Sequence, residues 1–187
     1  MQILTDAKSV AVPQSKAQLY ESVLSPVFAA WKEEGRADFS DLLAARAYEM
    51  LVTRDPRLNG PNVHLAEELT GPLVVRKLLT QRDSGFYFQH NLIRDYLGSL
   101  YLQSRWRQAL ADISVSIDSN WLEILRFVLT GLTQPQVCKE FLYALFQKNR
   151  KLAEELFTWL DSSQPDLTED WSGTFKVKIA EAILDSR

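Results

Sequence analysis

One cysteine and two histidines in 187 residues leave this chain with little metal or redox chemistry. A Cys/His structural zinc centre needs about four such ligands, and no H-x-x-x-H pair is present for a catalytic one, so no metal is expected. Cys138 has no partner for an internal disulfide and lies in an apolar segment, which reads as a buried thiol in a reducing compartment. The seven glycines are scattered. They form neither G-x-x-x-x-G-K-(S/T) nor G-x-G-x-x-G, and no G-x-S-x-G elbow occurs, so this chain is not expected to bind nucleotide through a phosphate loop or to be an enzyme. No uninterrupted apolar run reaches the length of a membrane span, and the N-terminus has no signal-peptide core. The expectation is a cytoplasmic protein with no membrane partner. A net charge of −3 argues against a free-standing nucleic-acid binder, which needs a clustered basic surface.

What the chain does have is hydrophobic residues, at 46%, enough for a sizeable core. Their spacing predicts a mainly α fold. Residues 1–14 keep no period and are expected to form a flexible arm. Ser15 can cap a first helix reaching Glu34, with Leu19, Tyr20, Val23, Leu24, Val27, Phe28 and Trp31 apolar, Pro26 kinking or dividing it, and Gly35 ending it. Asp38 or Ser40 can cap a second helix that runs to about Arg54. A loop rich in proline and asparagine follows, with Asn62 a cap for a short piece from Val63 to Leu69, a break at Gly71-Pro72, and a second piece from Leu73.

The stretch around which the rest is organised is Gly85 to Leu102. Leu78 to Gln81, the turn Asp83-Ser84-Gly85, and Phe86 to Phe88 read as a small β-hairpin. From Leu92 the apolar positions Leu92, Ile93, Tyr96, Leu97, Leu100 and Tyr101 place one stripe down a helix, expected to end at Arg105 to Arg107. Two short helices followed by a hairpin is the order of parts in a winged-helix unit. His90, Asn91, Arg94 and Asp95 fall in the first turns of that helix, where free N–H groups and the macrodipole favour an anion. His90 and Arg94 are therefore the candidate phosphate contacts, weighed against a capping histidine and an arginine paired with an acid. His64 reads as a surface residue, and the pairs Glu67-Glu68 and Glu154-Glu155 as solvated helix positions.

Beyond Leu102 the pattern is purely helical. Asp118-Ser119-Asn120 offers a cap, Trp121 to Leu132 is apolar nearly all round, and helices follow over Pro135 to Asn149, Leu152 to Leu160 and Thr168 to Leu184, the last after a loop from Asp161 to Asp166. The division expected is an arm over 1–14, a helical segment plus winged-helix-like domain over 15–103, and a helical bundle or the start of a superhelix over 104–187.

These residues resemble a known family. Phe88-Gln89-His90-Asn91-Leu92-Ile93-Arg94-Asp95-Tyr96-Leu97 is similar to the F-x-H-x-x-(I/L/F)-x-(D/E)-Y-L signature that closes the winged-helix domain of NACHT-type signalling ATPases, within the STAND class. Leu19-Tyr20-Glu21 with Trp31 resembles the helix that begins the region after the NACHT core, and Leu43 to Met50 is similar to the L-A-x-x-M helix found between them. Gly98-Ser99 stands where the family usually has two alanines. The resemblance covers about Ser15 to Gln103. It implies a regulatory, protein-interaction part of a nucleotide-dependent switch, in which His90 reaches the phosphate of ADP or ATP held by an upstream nucleotide-binding domain. It also implies an oligomer in the activated parent. The nucleotide-binding core is missing from this chain, so the resemblance implies either an excised C-terminal part of a larger ATPase or a degenerate relative, and no ATPase activity for this chain. The alternative from a different class is a stand-alone helical scaffold that binds a protein partner without nucleotide; a winged-helix nucleic-acid binder comes after both.

Overall fold

The computed structural model describes residues 15–58, 67–82, 85–112, 116–169, 171 and 173. The expectations for the arm over 1–14, the Asn62 cap, His64, the Asp83-Ser84 turn and the closing helix beyond 173 lie outside the described residues. The protein is mainly α, with one small antiparallel hairpin among the described residues.

Helix α1 (Lys16–Glu33) starts as its sequence predicts, with the Ser15 hydroxyl accepting from Gln18 N at 3.2 Å. Pro26 does not divide it. A proline removes one rung of the ladder, and buried Leu24, Val27 and Trp31 on the inner face pack on both sides of it. Gly35, at φ 73°, closes the helix, and Arg36 N bonds back to Trp31 O at 2.7 Å. That closure leads straight into α2 (Asp38–Thr53), and neither Asp38 nor Ser40 caps it: Asp38 is already helical, and Ser40 donates to Ala37 O at 2.8 Å.

The loop after α2 is pinned at Leu58, which is fully buried. Its N–H donates to Phe86 O at 2.8 Å, and its carbonyl accepts from Arg46 Nε and Nη2 at 3.4 and 3.3 Å. Helix α3 (Glu67–Val75) runs unbroken through Gly71-Pro72, contrary to the expected break. Leu69, Thr70 and Leu73 are all buried, so packing on both sides of the proline outweighs one lost hydrogen bond. Strands β1 (Leu79–Arg82) and β2 (Gly85–Phe88) pair with Leu79 opposite Phe88 and Arg82 opposite Gly85.

Helix α4 (Asn91–Ala111) is longer than the sequence suggests, passing through Arg105 to Arg107 rather than ending there. Trp106, Ala109 and Leu110 continue its buried stripe onto the following helices, which is the reason it continues. Asp118 caps a 3-10 turn (Ser119–Trp121) by accepting from Asn120 N at 2.9 Å. Then come α5 (Leu122–Gly131), α6 (Pro135–Lys148), α7 (Arg150–Ser163) and the short α8 (Pro165–Thr168). The stretch expected as a loop from Asp161 is therefore largely helical.

Two hydrophobic clusters share α4. Its first half, at Ile93, Tyr96 and Leu97, packs with α1, α2, α3 and the hairpin; its second half, from Leu102 to Leu110, packs with α5, α6 and α7. The line between residues 103 and 104 thus falls inside one continuous helix. Aromatic contacts cross it. Phe127 of α5 meets Tyr20 of α1 and Tyr96 of α4 edge-on, with centroids 6.0 and 5.6 Å apart, while Tyr48 of α2 meets Trp121 edge-on at 6.1 Å. Among the described residues no helix is long and apolar enough to cross a membrane.

Candidate functional site

The site begins with the way α3 ends. Arg76 N bonds to Pro72 O at 3.2 Å, Lys77 takes a left-handed conformation at φ 57°, and Leu78 N returns to Leu73 O at 2.8 Å. This reversal buries Leu78 and leaves the Lys77 side chain in solvent beside the hairpin. Across the hairpin, Gln89 N donates to Leu78 O at 2.9 Å, so the residues that follow β2 sit directly beside the end of α3. His90 is the next residue.

His90 is the N-cap residue of α4, extended at φ −131° and ψ 131°, and its carbonyl accepts from Ile93 N at 3.0 Å. Its imidazole makes no capping hydrogen bond. The side chain is exposed and lines an open groove of about 530 Å³ with Lys77, Thr80, Gln89, Val74 and Leu79. The groove, which Gln81 also lines, therefore gathers a lysine, a histidine, a hydroxyl and two amides at the positive end of a 21-residue helix. Within it the Thr80 hydroxyl donates to Gln89 Oε1, and Lys77 and His90 can meet an anion such as a phosphate.

Arg94 points to different work. Its Nε and Nη2 donate to Asp95 Oδ1 at 2.9 and 2.7 Å, and it does not line the His90 groove. Asp95 is buried, at 8% exposure. Burial pushes its carboxyl above the ordinary range, the Arg94 guanidinium opposes that, and Glu123 on α5 adds to it. Glu123 in turn accepts from Arg126 Nη1 at 2.8 Å and Lys16 Nζ at 3.3 Å, so a chain of charges crosses α4, α5 and α1. Of the two candidate phosphate contacts, the structure leaves His90 exposed on its groove and pairs Arg94 with its neighbouring acid.

No protein-family model, no curated protein and no solved structure matches this chain. The remaining candidates are placed by geometry alone. Cys138 is buried, its thiol donates to Leu132 O at 2.9 Å, and burial raises its pKa to about 11, so it is an unreactive cap on the end of α5. Glu67 and Glu68 stand exposed in the first turn of α3, and Glu154 accepts from Arg150 Nε at 2.9 Å. Among the described residues no three His, Cys, Asp or Glu side chains gather as a metal site. Sequence reasoning missed Lys77, because nothing in Arg76-Lys77-Leu78 signals a left-handed turn. It also missed the burial of Asp95, although that residue stands beside Tyr96 and two positions after Ile93 on the inward stripe.

Proposed function

We propose that this chain is a non-catalytic regulatory and protein-interaction module of a NACHT-like nucleotide-dependent switch. In this reading His90 donates a ring N–H to a phosphate of ADP or ATP carried by a separate or upstream nucleotide-binding domain. The observation that carries it is an exposed imidazole, free of capping duty, at the start of α4 and in one groove with Lys77. Such a hydrogen bond contributes about 1 to 3 kcal/mol, enough to bias a two-state switch without locking it. Seated on a helix that enters both cores, the contact couples phosphate occupancy to the orientation of α5 to α7.

The test is His90→Ala in a protein that holds this module together with its nucleotide-binding domain. Loss of the contact raises basal activation and weakens retention of ADP by roughly five-fold or more. A nucleotide response identical to that of the unmodified protein removes His90 from the mechanism. The second reading, a helical scaffold that binds a partner without nucleotide, is favoured by the exposed Leu19 and Val23 on α1. It predicts partner binding that is indifferent to His90→Ala.

A further inference from the structure

The outer face of α1 has a composition that solvent alone does not require. Six of its exposed positions, Lys16, Leu19, Val23, Pro26, Ala30 and Glu33, follow one another at intervals of three, four, three, four and three residues, with the exposed polar Gln18, Glu21, Ser22, Ser25 and Lys32 lying beside them or on another side. That is the seam of a two-helix coiled coil, apolar in its four central positions and charged only at its ends. Leu19 and Val23 are 46% and 37% exposed. The other two charges of α1, Glu21 and Lys32, project from a different side of the helix at 100° per residue. Between Lys16 and Glu33 the exposed serine hydroxyls are spent on the helix's own carbonyls: Ser22 donates to Leu19 O and Ser25 to Glu21 O, each at 2.7 Å. The inner face is already occupied by its own core, through Leu24, Val27 and Trp31.

We propose that this seam packs antiparallel against the same seam of a second copy. The charge order selects that occupant. With a two-fold axis between residues 24 and 25, Leu19 faces Ala30 of the second copy, Val23 faces Pro26, and Lys16 at one end faces Glu33 at the other, twice over by symmetry. A parallel pair would set Lys16 on Lys16 and Glu33 on Glu33 instead. Lys16 also reaches Glu123 of its own chain at 3.3 Å, an exposed pair that leaves other ammonium donors available. One helix face lies at the low end of interface sizes, so the dimer is a weak one that forms with concentration. It does not depend on the phosphate reading, and His90→Ala leaves it unchanged.

Sedimentation velocity on the 187-residue chain from about 10 to about 500 µM tests it, with circular dichroism confirming that each variant is folded. The expected result is a monomer–dimer equilibrium that L19Q/V23Q abolishes. K16E weakens it by roughly ten-fold, and K16E/E33K restores it. Orientation is read by mixing L19C with A30C under mild oxidation, the buried Cys138 staying silent: crossed disulfides form between the two variants and outnumber L19C pairs. A monomer at every concentration overturns the proposal. So does a dimer indifferent to K16E, or one in which L19C couples mainly to itself.

Discussion

Helices α4 and α2 come close together at Gly98, and filling that position gives the sharpest test of the packing. A Cβ built on Gly98 falls 2.5 Å from Leu51 Cδ1 and 3.5 Å from the Cα and N of Tyr48 in α2. The contact with the Tyr48 backbone is ordinary van der Waals distance; the contact with Leu51 is not, so in Gly98→Ala the half-buried Leu51 side chain must move. Alanine in a helix interior gains about 0.5 to 1 kcal/mol over glycine, while overpacking costs about 1 to 3 kcal/mol. The expected net loss is about 1 kcal/mol, a fall of roughly 2 to 4 °C in Tm for a chain of this size. Larger residues behave differently. In Gly98→Val the added methyl groups must find room against the α2 backbone, and the loss rises above about 3 kcal/mol. Urea denaturation followed by circular dichroism measures both variants, and a cycle with Leu51→Ala isolates the cause. Removing Leu51 relieves the clash, so the double variant G98A/L51A is more stable than the sum of the single losses predicts, by about 1 kcal/mol or more. Simple additivity, or a valine as well tolerated as the alanine, refutes the account of this contact.

Two further outcomes follow from polar groups at the junctions. Asn149 accepts from Leu152 N at 3.1 Å as the cap of α7 and donates to Ile117 O at 3.0 Å, so Asn149→Ala costs about 2 kcal/mol in urea denaturation. Asn149→Asp, which keeps the cap and loses the donor, costs roughly half of that. Asp95 gives a pH signature. Its folded carboxyl titrates above the unfolded value, so its neutral form is favoured by folding: the contribution is present at low pH and lost as pH rises through the folded pKa. Asp95→Asn is therefore tolerated at neutral pH, and the unmodified chain gains on the variant as pH falls toward the ordinary carboxylate range; a difference between them that is flat with pH contradicts the burial argument.

The parts of the fold that local chemistry dictates were readable from the residues. Ser15 and Asp118 cap where hydroxyl and carboxylate precede helical periods, Gly35 supplies its positive φ, and the aromatic run Phe86 to Phe88 pairs back on β1. What could not be read is set by packing at a distance. Pro72 breaks nothing because Leu69 and Leu73 are clamped in the core, and α4 outruns its two arginines because Trp106 and Leu110 meet helices that come later in the chain. The end of α4 is completed by Lys148, whose Nζ donates to Leu110 O at 3.0 Å and also to Asp112 O across 36 or more residues of sequence. At the candidate site the same rule holds. His90 could be placed from its neighbours, whereas the pairing of Arg94 turned on the burial of Asp95 in α4 beside Glu123 of α5, which depends on two separated segments.

The sharing of α4 has a mechanical consequence. A rod embedded at both ends has no loop joint near Gln103 at which to pivot, so a displacement imposed at its first turn is carried along the same helix to Trp106 and Leu110 and to the helices seated there.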